Sequence, residues 1–290
     1  MRAAVKPVMG PGCPVGLQRT WFIGIAAALR APRGTERRWL DLGGVPAECT
    51  TTALASASGP TVLYLHGGGY CIGSPRTCRS ITGHLAKTCG AKVYALDYRL
   101  APEHRHPAAL EDALAGYRAL LAQGIPPSRL VIAGDSAGGG LAVATAVALR
   151  DAKLPLPAAL VLISPWVDLA CSGETHASVG RRDPLLTTAC LRRWAKDYLG
   201  DRPAEDPAGS PLYADLSGLP PMLIQVGSEE ILHADAIRLR ERAEQAGVAV
   251  ALREYPGLWH DFQMYAGWLR DSDQALDEIA DFIRRRVGTG

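Results

Sequence analysis

The sequence predicts an α/β fold, with a mostly parallel central sheet and helices on both of its faces. Two observations carry that prediction. Apolar runs of strand length recur at residues 61–66, 92–98, 130–133, 159–163, 222–226 and 248–255, and helical patterns stand between and after them, at 77–88, 108–123, 139–150, 234–246 and 272–287. The runs are mostly apolar throughout rather than alternating, as in strands buried on both faces of a parallel sheet. Such strands alternating with helices form one layered α/β unit, and 290 residues are ample for a large core. A single domain over residues 1–290 is therefore expected, with no internal repeat, low-complexity tract or linker dividing it.

A further β-type segment, 47–54, precedes these runs, and the stretch up to about Gly44 reads as irregular with one helix around 19–29. The apolar part of that helix, from Trp21 to Leu29, is too short to span a bilayer and begins late for a leader. It reads as a short amphipathic helix docked on the domain. Gly124 closes the helix at 108–123, and Arg284-Arg285-Arg286 ends the last helix, where basic side chains suit the negative end of the dipole. The alternation breaks at 166–216, which holds Trp166, Trp194 and Tyr198, one helix near 188–199, and a return through Pro203, Pro207 and Pro211. This insertion and about residues 1–44 are expected to form a small helical cap over the sheet.

A formal charge of +2 gives no reason to expect nucleic acid as a partner or stable insertion into a membrane. Seven cysteines lack any C-x-x-C pair. That argues against a disulfide framework and a zinc site, and for a reducing, cytoplasmic compartment.

Chemistry concentrates where strands end. Gly134-Asp135-Ser136-Ala137-Gly138 follows the strand at 130–133 and opens the helix at 139–150. In that context G-x-S-x-G is a nucleophile elbow, whose sharp turn leaves no room for a Cβ at its flanks. A serine needs an adjacent base, a group that orients the base, and donors for the oxyanion. His260 lies in the loop after the last strand, and Glu229, Glu230 and Asp235 lie just after the strand at 222–226. The order serine, acid, histidine is that of α/β-hydrolases. His66-Gly67-Gly68-Gly69 completes the set as an oxyanion-hole loop, with His66 itself bracing it.

On these residues the chain resembles the bacterial hormone-sensitive-lipase-like esterases of the α/β-hydrolase fold. The carriers are His66-Gly67-Gly68-Gly69-Tyr70, Asp97-Tyr98-Arg99-Leu100-Ala101-Pro102-Glu103-His104, the Ser136 elbow, and Gly257-x-x-His260-x-Phe262. The resemblance covers roughly residues 60–285 and implies hydrolysis of carboxylic esters with no cofactor and no metal. It also implies that Gly68, Gly69 and Ala137 supply the oxyanion amides. Members commonly carry Asp-Pro-Leu about 30 residues before the histidine; here that register gives Glu230-Ile231-Leu232, so Glu230 is taken as the acid, with Glu229 and Asp235 as competitors. His104 and His106 have no carboxylate or cysteine spaced to join them in a metal site, and Asp97, Arg99 and Glu103 are expected to form a polar network.

Ser136, His260 and Glu230 thus make the expected triad, acting on short- to medium-chain acyl esters. Activity is expected to rise with pH through one ionisation near that of an ordinary histidine, about 6.5. The alternatives are an amidase or formamidase on the same scaffold, and a ligand-binding relative that has lost catalysis. The partner is a small-molecule ester, with a homodimer left open.

Overall fold

The computed structural model describes residues 6, 8–29, 31–56 and 58–287. Residues 1–5, 7, 30, 57 and 288–290, which fall within the expected single domain and partly within the expected cap, lie outside it. Eight strands form one sheet in the order β1-β2-β4-β3-β5-β6-β7-β8. They are β1 (Thr35–Asp41), β2 (Pro46–Thr52), β3 (Thr61–Leu65), β4 (Lys92–Leu96), β5 (Leu130–Asp135), β6 (Ala159–Ile163), β7 (Met222–Gly227) and β8 (Val250–Tyr255). From β4 to β8 all neighbours are parallel. β2 runs antiparallel to β4, and β1 antiparallel to β2.

The two-residue period of each strand divides the core. Leu63, Leu65, Leu130, Ile132, Leu160, Leu162 and Ile224 point to one face. There they meet α3 (Ala108–Ala122) through Tyr117 and Leu120, α4 (Ala137–Asp151) through Leu141 and Leu149, and α7 (His233–Gln245) through Leu239. Val62, Tyr64, Val93, Val131, Val161 and Leu223 point to the other face. They meet α2 (Arg79–Cys89) through Ile81 and Leu85, and α8 (Arg270–Val287) through Leu276, Ile279 and Ile283. Both faces are covered in the middle of the sheet, so both residue sets of β3, β5 and β6 are buried.

The elements lie where the sequence places them, with ends moved by a few residues. The first helix, α1 (Val15–Ala26), begins and ends earlier than 19–29. One expectation is corrected outright: the stretch up to Gly44 is not irregular, because residues 35–41 are the edge strand β1. Its sequence, Thr-Glu-Arg-Arg-Trp-Leu-Asp, is exposed or half-exposed along its length, so no apolar period marks it. The pairing of β1 to β2 makes it a strand. It belongs to the sheet rather than to a cap.

The insertion at 166–216 holds a single turn, α5 (Thr175–Ser178), and α6 (Thr188–Leu199). Thr187 caps α6 by accepting the Cys190 amide at 3.2 Å. The helix buries Leu191, Trp194, Ala195 and Tyr198 against the rest of the chain. Because β3, β5, β6, β7 and β8 are parallel, their carboxyl ends share one edge of the sheet. That edge is where ligands bind in open α/β sheets.

Candidate active site

β5 ends at Asp135, and Ser136 takes φ 54° and ψ −122° before α4 begins at Ala137. This is strained backbone for a residue with a side chain, a cost of order 1–3 kcal/mol that the surroundings must hold in place. Several bonds do so. The Ser136 amide donates to the Ile163 carbonyl at 2.8 Å, and the Ser136 carbonyl accepts from Trp166 N at 2.9 Å and Gly139 N at 3.0 Å. A Cβ on Gly138 would strike the Leu65 carbonyl, so the elbow seats against β3 only with glycine there.

β3 leads into His66, whose ring is fully buried and stacks on Tyr98 with centroids 4.2 Å apart. The Tyr98 hydroxyl donates to the His66 carbonyl at 2.6 Å. Burial pulls the imidazole down to about 4, so it is neutral and braces the loop. The Gly67 amide donates to Asp135 Oδ2 at 3.0 Å while Tyr64 Oη donates to Oδ1 at 2.7 Å. Burial first, and the Asp261 charge second, push the Asp135 carboxyl up to about 7. Gly68 has φ 119°, and a Cβ there would strike the Ile72 carbonyl. The amides of Gly68, Gly69 and Ala137 donate to no group among the described residues. Those of Gly68 and Gly69 sit beside Ser136 in one cavity, and Ala137 follows it at the positive end of α4.

On the opposite side His260 Nδ1 lies 2.7 Å from Glu230 Oε2, both side chains being buried. Glu230 Oε1 accepts from Ser164 Oγ at 2.8 Å and from Gly227 N at 2.6 Å. Burial pushes the Glu230 carboxyl up and the His260 bond draws it back. Glu229 pairs with Arg182 at 3.0 Å instead. Asp235 accepts from the amides of Val167 at 3.0 Å and Asp168 at 2.9 Å. Of the three carboxylates near this strand end, only Glu230 contacts His260.

The cavity above Ser136 is lined by Trp21, Phe22 and Ile25 of α1, by Leu186 and Trp194 of the insertion, and by Met264. Trp194 Nε1 donates to Gln18 Oε1 at 3.2 Å. Gln18 is fully buried and donates in turn to the carbonyls of Val8 at 3.0 Å and Gly10 at 3.2 Å. Sequence reasoning missed Gln18, Ser164 and Asp261. Ser164, at the end of β6 with φ 44°, carried a trace in Ser164-Pro165; a lone glutamine on an apolar helix carried none.

One smaller expectation changes. Arg99 Nη2 pairs with Asp112 at 2.8 Å and Glu111 at 2.9 Å, and Glu103 pairs with Arg19 at 2.7 Å. The network expected of Asp97, Arg99 and Glu103 is therefore split between α3 and α1. His106 packs its ring edge-on to Tyr198 at 5.5 Å while His104 is exposed. Among the described residues no cluster of three or more His, Cys, Asp or Glu is arranged to hold a metal ion.

A strained serine at a strand-to-helix turn, a glycine loop with free amides and a buried carboxylate–imidazole pair define a serine hydrolase of the α/β type. Residues 62–264 match the family model described as the alpha/beta hydrolase fold. The chain is 48% identical over 258 residues to an acetyl-hydrolase of Streptomyces hygroscopicus, covering 86% of each protein. It is 42% identical to an esterase of Acinetobacter venetianus, covering 84% of this chain and 80% of that one. Among solved structures it resembles an esterase from the bacterial hormone-sensitive lipase family, with a TM-score of 0.94 and 42% identity, covering 99% of this chain and 95% of that one. The chain belongs to the bacterial hormone-sensitive-lipase-like esterases of the α/β-hydrolase fold, and with them to the serine carboxylesterases.

Proposed function

We propose that the protein hydrolyses short- to medium-chain acyl esters through a Ser136–His260–Glu230 triad and an acyl-enzyme. The observation that carries this reading is the 2.7 Å contact between Glu230 and His260 beside a cavity that Ser136 and His260 both line. Ser136 Oγ attacks the ester carbonyl while His260 Nε2 takes its proton, and Glu230 fixes the tautomer through Nδ1. The amides of Gly68, Gly69 and Ala137 receive the developing oxyanion. His260 protonates the departing alcohol, and water then repeats the sequence on the acyl-enzyme. Labelling by a serine-directed organophosphate tests the nucleophile. One equivalent on Ser136 is expected, and labelling elsewhere would overturn the assignment. Matched ester and amide substrates separate this reading from an amidase.

We take the cap to be the described residues before 35 together with 166–216, now without β1. Trp194 lines the cavity beside Gly69, where a Cβ would strike the indole, and we take it as the wall that ends the acyl site. Each methylene that still fits contributes about 0.8 kcal/mol, roughly a fourfold effect; beyond the wall the gain ends. kcat/KM on p-nitrophenyl esters is expected to peak at about four to eight acyl carbons. Trp194→Ala is expected to move the peak to longer chains, as measured over the series from acetyl to palmitoyl. A wild-type maximum at palmitoyl, or a jump in rate on emulsions, would overturn this account. Among the described residues no helix is long and apolar enough to cross a membrane, and all seven cysteines are free. The free thiols support a reducing compartment, which we take to be the cytoplasm.

A further inference from the structure

His260 touches two carboxylates. Besides the Glu230 contact at Nδ1, its Nε2 lies 3.1 Å from Asp261 Oδ2. Nε2 is the nitrogen that must take the serine proton, and among the described residues no hydrogen bond joins it to Ser136. Asp261 is the next residue in the chain and is 7% exposed. Its backbone is left-handed, with φ 54° and ψ 34°, a conformation that aspartate and asparagine tolerate best among residues with side chains. That conformation allows the carboxylate to fold back onto its own neighbour's ring. The Asp261 amide donates to Ser164 Oγ at 3.3 Å, and the same hydroxyl donates to Glu230. Ser164 therefore brackets the Glu230 carboxylate and the Asp261 backbone. The other Asp261 oxygen, Oδ1, is buried with no partner, so all of this carboxylate's polar contact goes to the imidazole.

We propose that Asp261 is a positioning residue that holds His260 Nε2 in the resting enzyme and yields it to Ser136 when substrate enters. The proposal rests on the reading of His260 as the base. Its consequence is that the charge at position 261 sets the pH at which the esterase switches on. The ionisable groups facing this pair from the packed elements are Glu230 after β7, Asp135 at the end of β5, Tyr64 of β3, and Tyr265. Burial by itself would lower the His260 pKa, but Asp261 and then Glu230 raise it well above the ordinary histidine value. The sign follows directly. A base must be neutral, so a raised pKa moves the rising limb of activity to higher pH, above the limb near 6.5 that an unperturbed histidine gives.

Asp261→Asn keeps the shape and the left-handed preference and removes the charge. Removing a carboxylate beside an ionisable group typically moves its pKa by 1–3 units. The rising limb of kcat/KM for p-nitrophenyl butyrate is expected to move down by about one pH unit, a tenfold gain on the acid side. The plateau at high pH is expected to stay within about threefold of wild type. A role confined to holding the loop would lower the plateau and leave the limb in place, and that result, or a limb moved upward, would overturn the proposal. The ring-proton titration of His260 in the wild-type protein, followed by NMR, does not depend on how the variant folds; a midpoint at or below about 6.5 would also overturn it. His260→Ala distinguishes the two readings. If that variant keeps full activity, the triad itself fails. If it is inactive while Asp261→Asn has a wild-type profile, only the role of Asp261 fails.

Discussion

Ser136→Ala is expected to lower kcat by roughly 10⁶, the loss that follows when a triad serine is removed and only binding and the oxyanion amides remain. The change deletes one hydroxyl that makes no hydrogen bond among the described residues, so the fold has little to lose. The elbow is held by backbone bonds of Ser136 to Ile163, Trp166 and Gly139, all of which alanine retains. Turnover of p-nitrophenyl butyrate and a thermal melt on the same sample make the measurement. Activity comparable to wild type in a folded variant would end the serine-hydrolase mechanism for this site.

Glu230→Gln is expected to cost on the order of 10⁴ in kcat, as when a triad imidazole loses its orienting carboxylate. The reason is a count of donors. Glu230 accepts from Ser164 Oγ, Gly227 N and His260 Nδ1. A glutamine side chain offers one oxygen and one NH₂ group, so at least one of these donors would face another donor in a buried site. The imidazole relieves the conflict by placing its proton on Nε2, where it can no longer accept one from serine. Glu229→Gln, in an exposed pair with Arg182, is expected to be nearly silent. Asp235→Asn is expected to change kcat little, because Asp235 does not touch His260 and its Oδ2 accepts the Val167 and Asp168 amides, which an asparagine oxygen can also accept. If Asp235→Asn proves the crippling change, the acid has been assigned to the wrong residue.

The sheet and the candidate site groups were legible because both follow from short-range rules. Continuous apolar runs mark strands covered on two faces, and glycines mark turns where a Cβ does not fit, as at Gly68 and Gly138. Glu230 was legible only through the motif register; three carboxylates stand within seven residues, and the fold alone aims one at His260. β1 escaped because an exposed edge strand needs no apolar face, only a partner with free backbone groups. Asp261 escaped for a different reason. Its neighbour in sequence is also its partner in space only because of one left-handed residue, and nothing in the order of side chains encodes that.

The bonds that seat the segment before β1 have a consequence for the order of assembly. Lys6 Nζ donates to the carbonyls of Gly180 and Asp183, Arg193 Nη1 donates to those of Pro11 and Cys13, and Trp194 donates to Gln18. The partners in these bonds are 174 to 182 positions apart. Contacts of such separation form late, after local pairings have already restricted the chain. The parallel strands β3 to β6 all lie between the two ends of these contacts and can pair without them. In refolding, the core signal should therefore recover before esterase turnover does, and the interval between the two would report the closing of the cavity wall over a finished sheet.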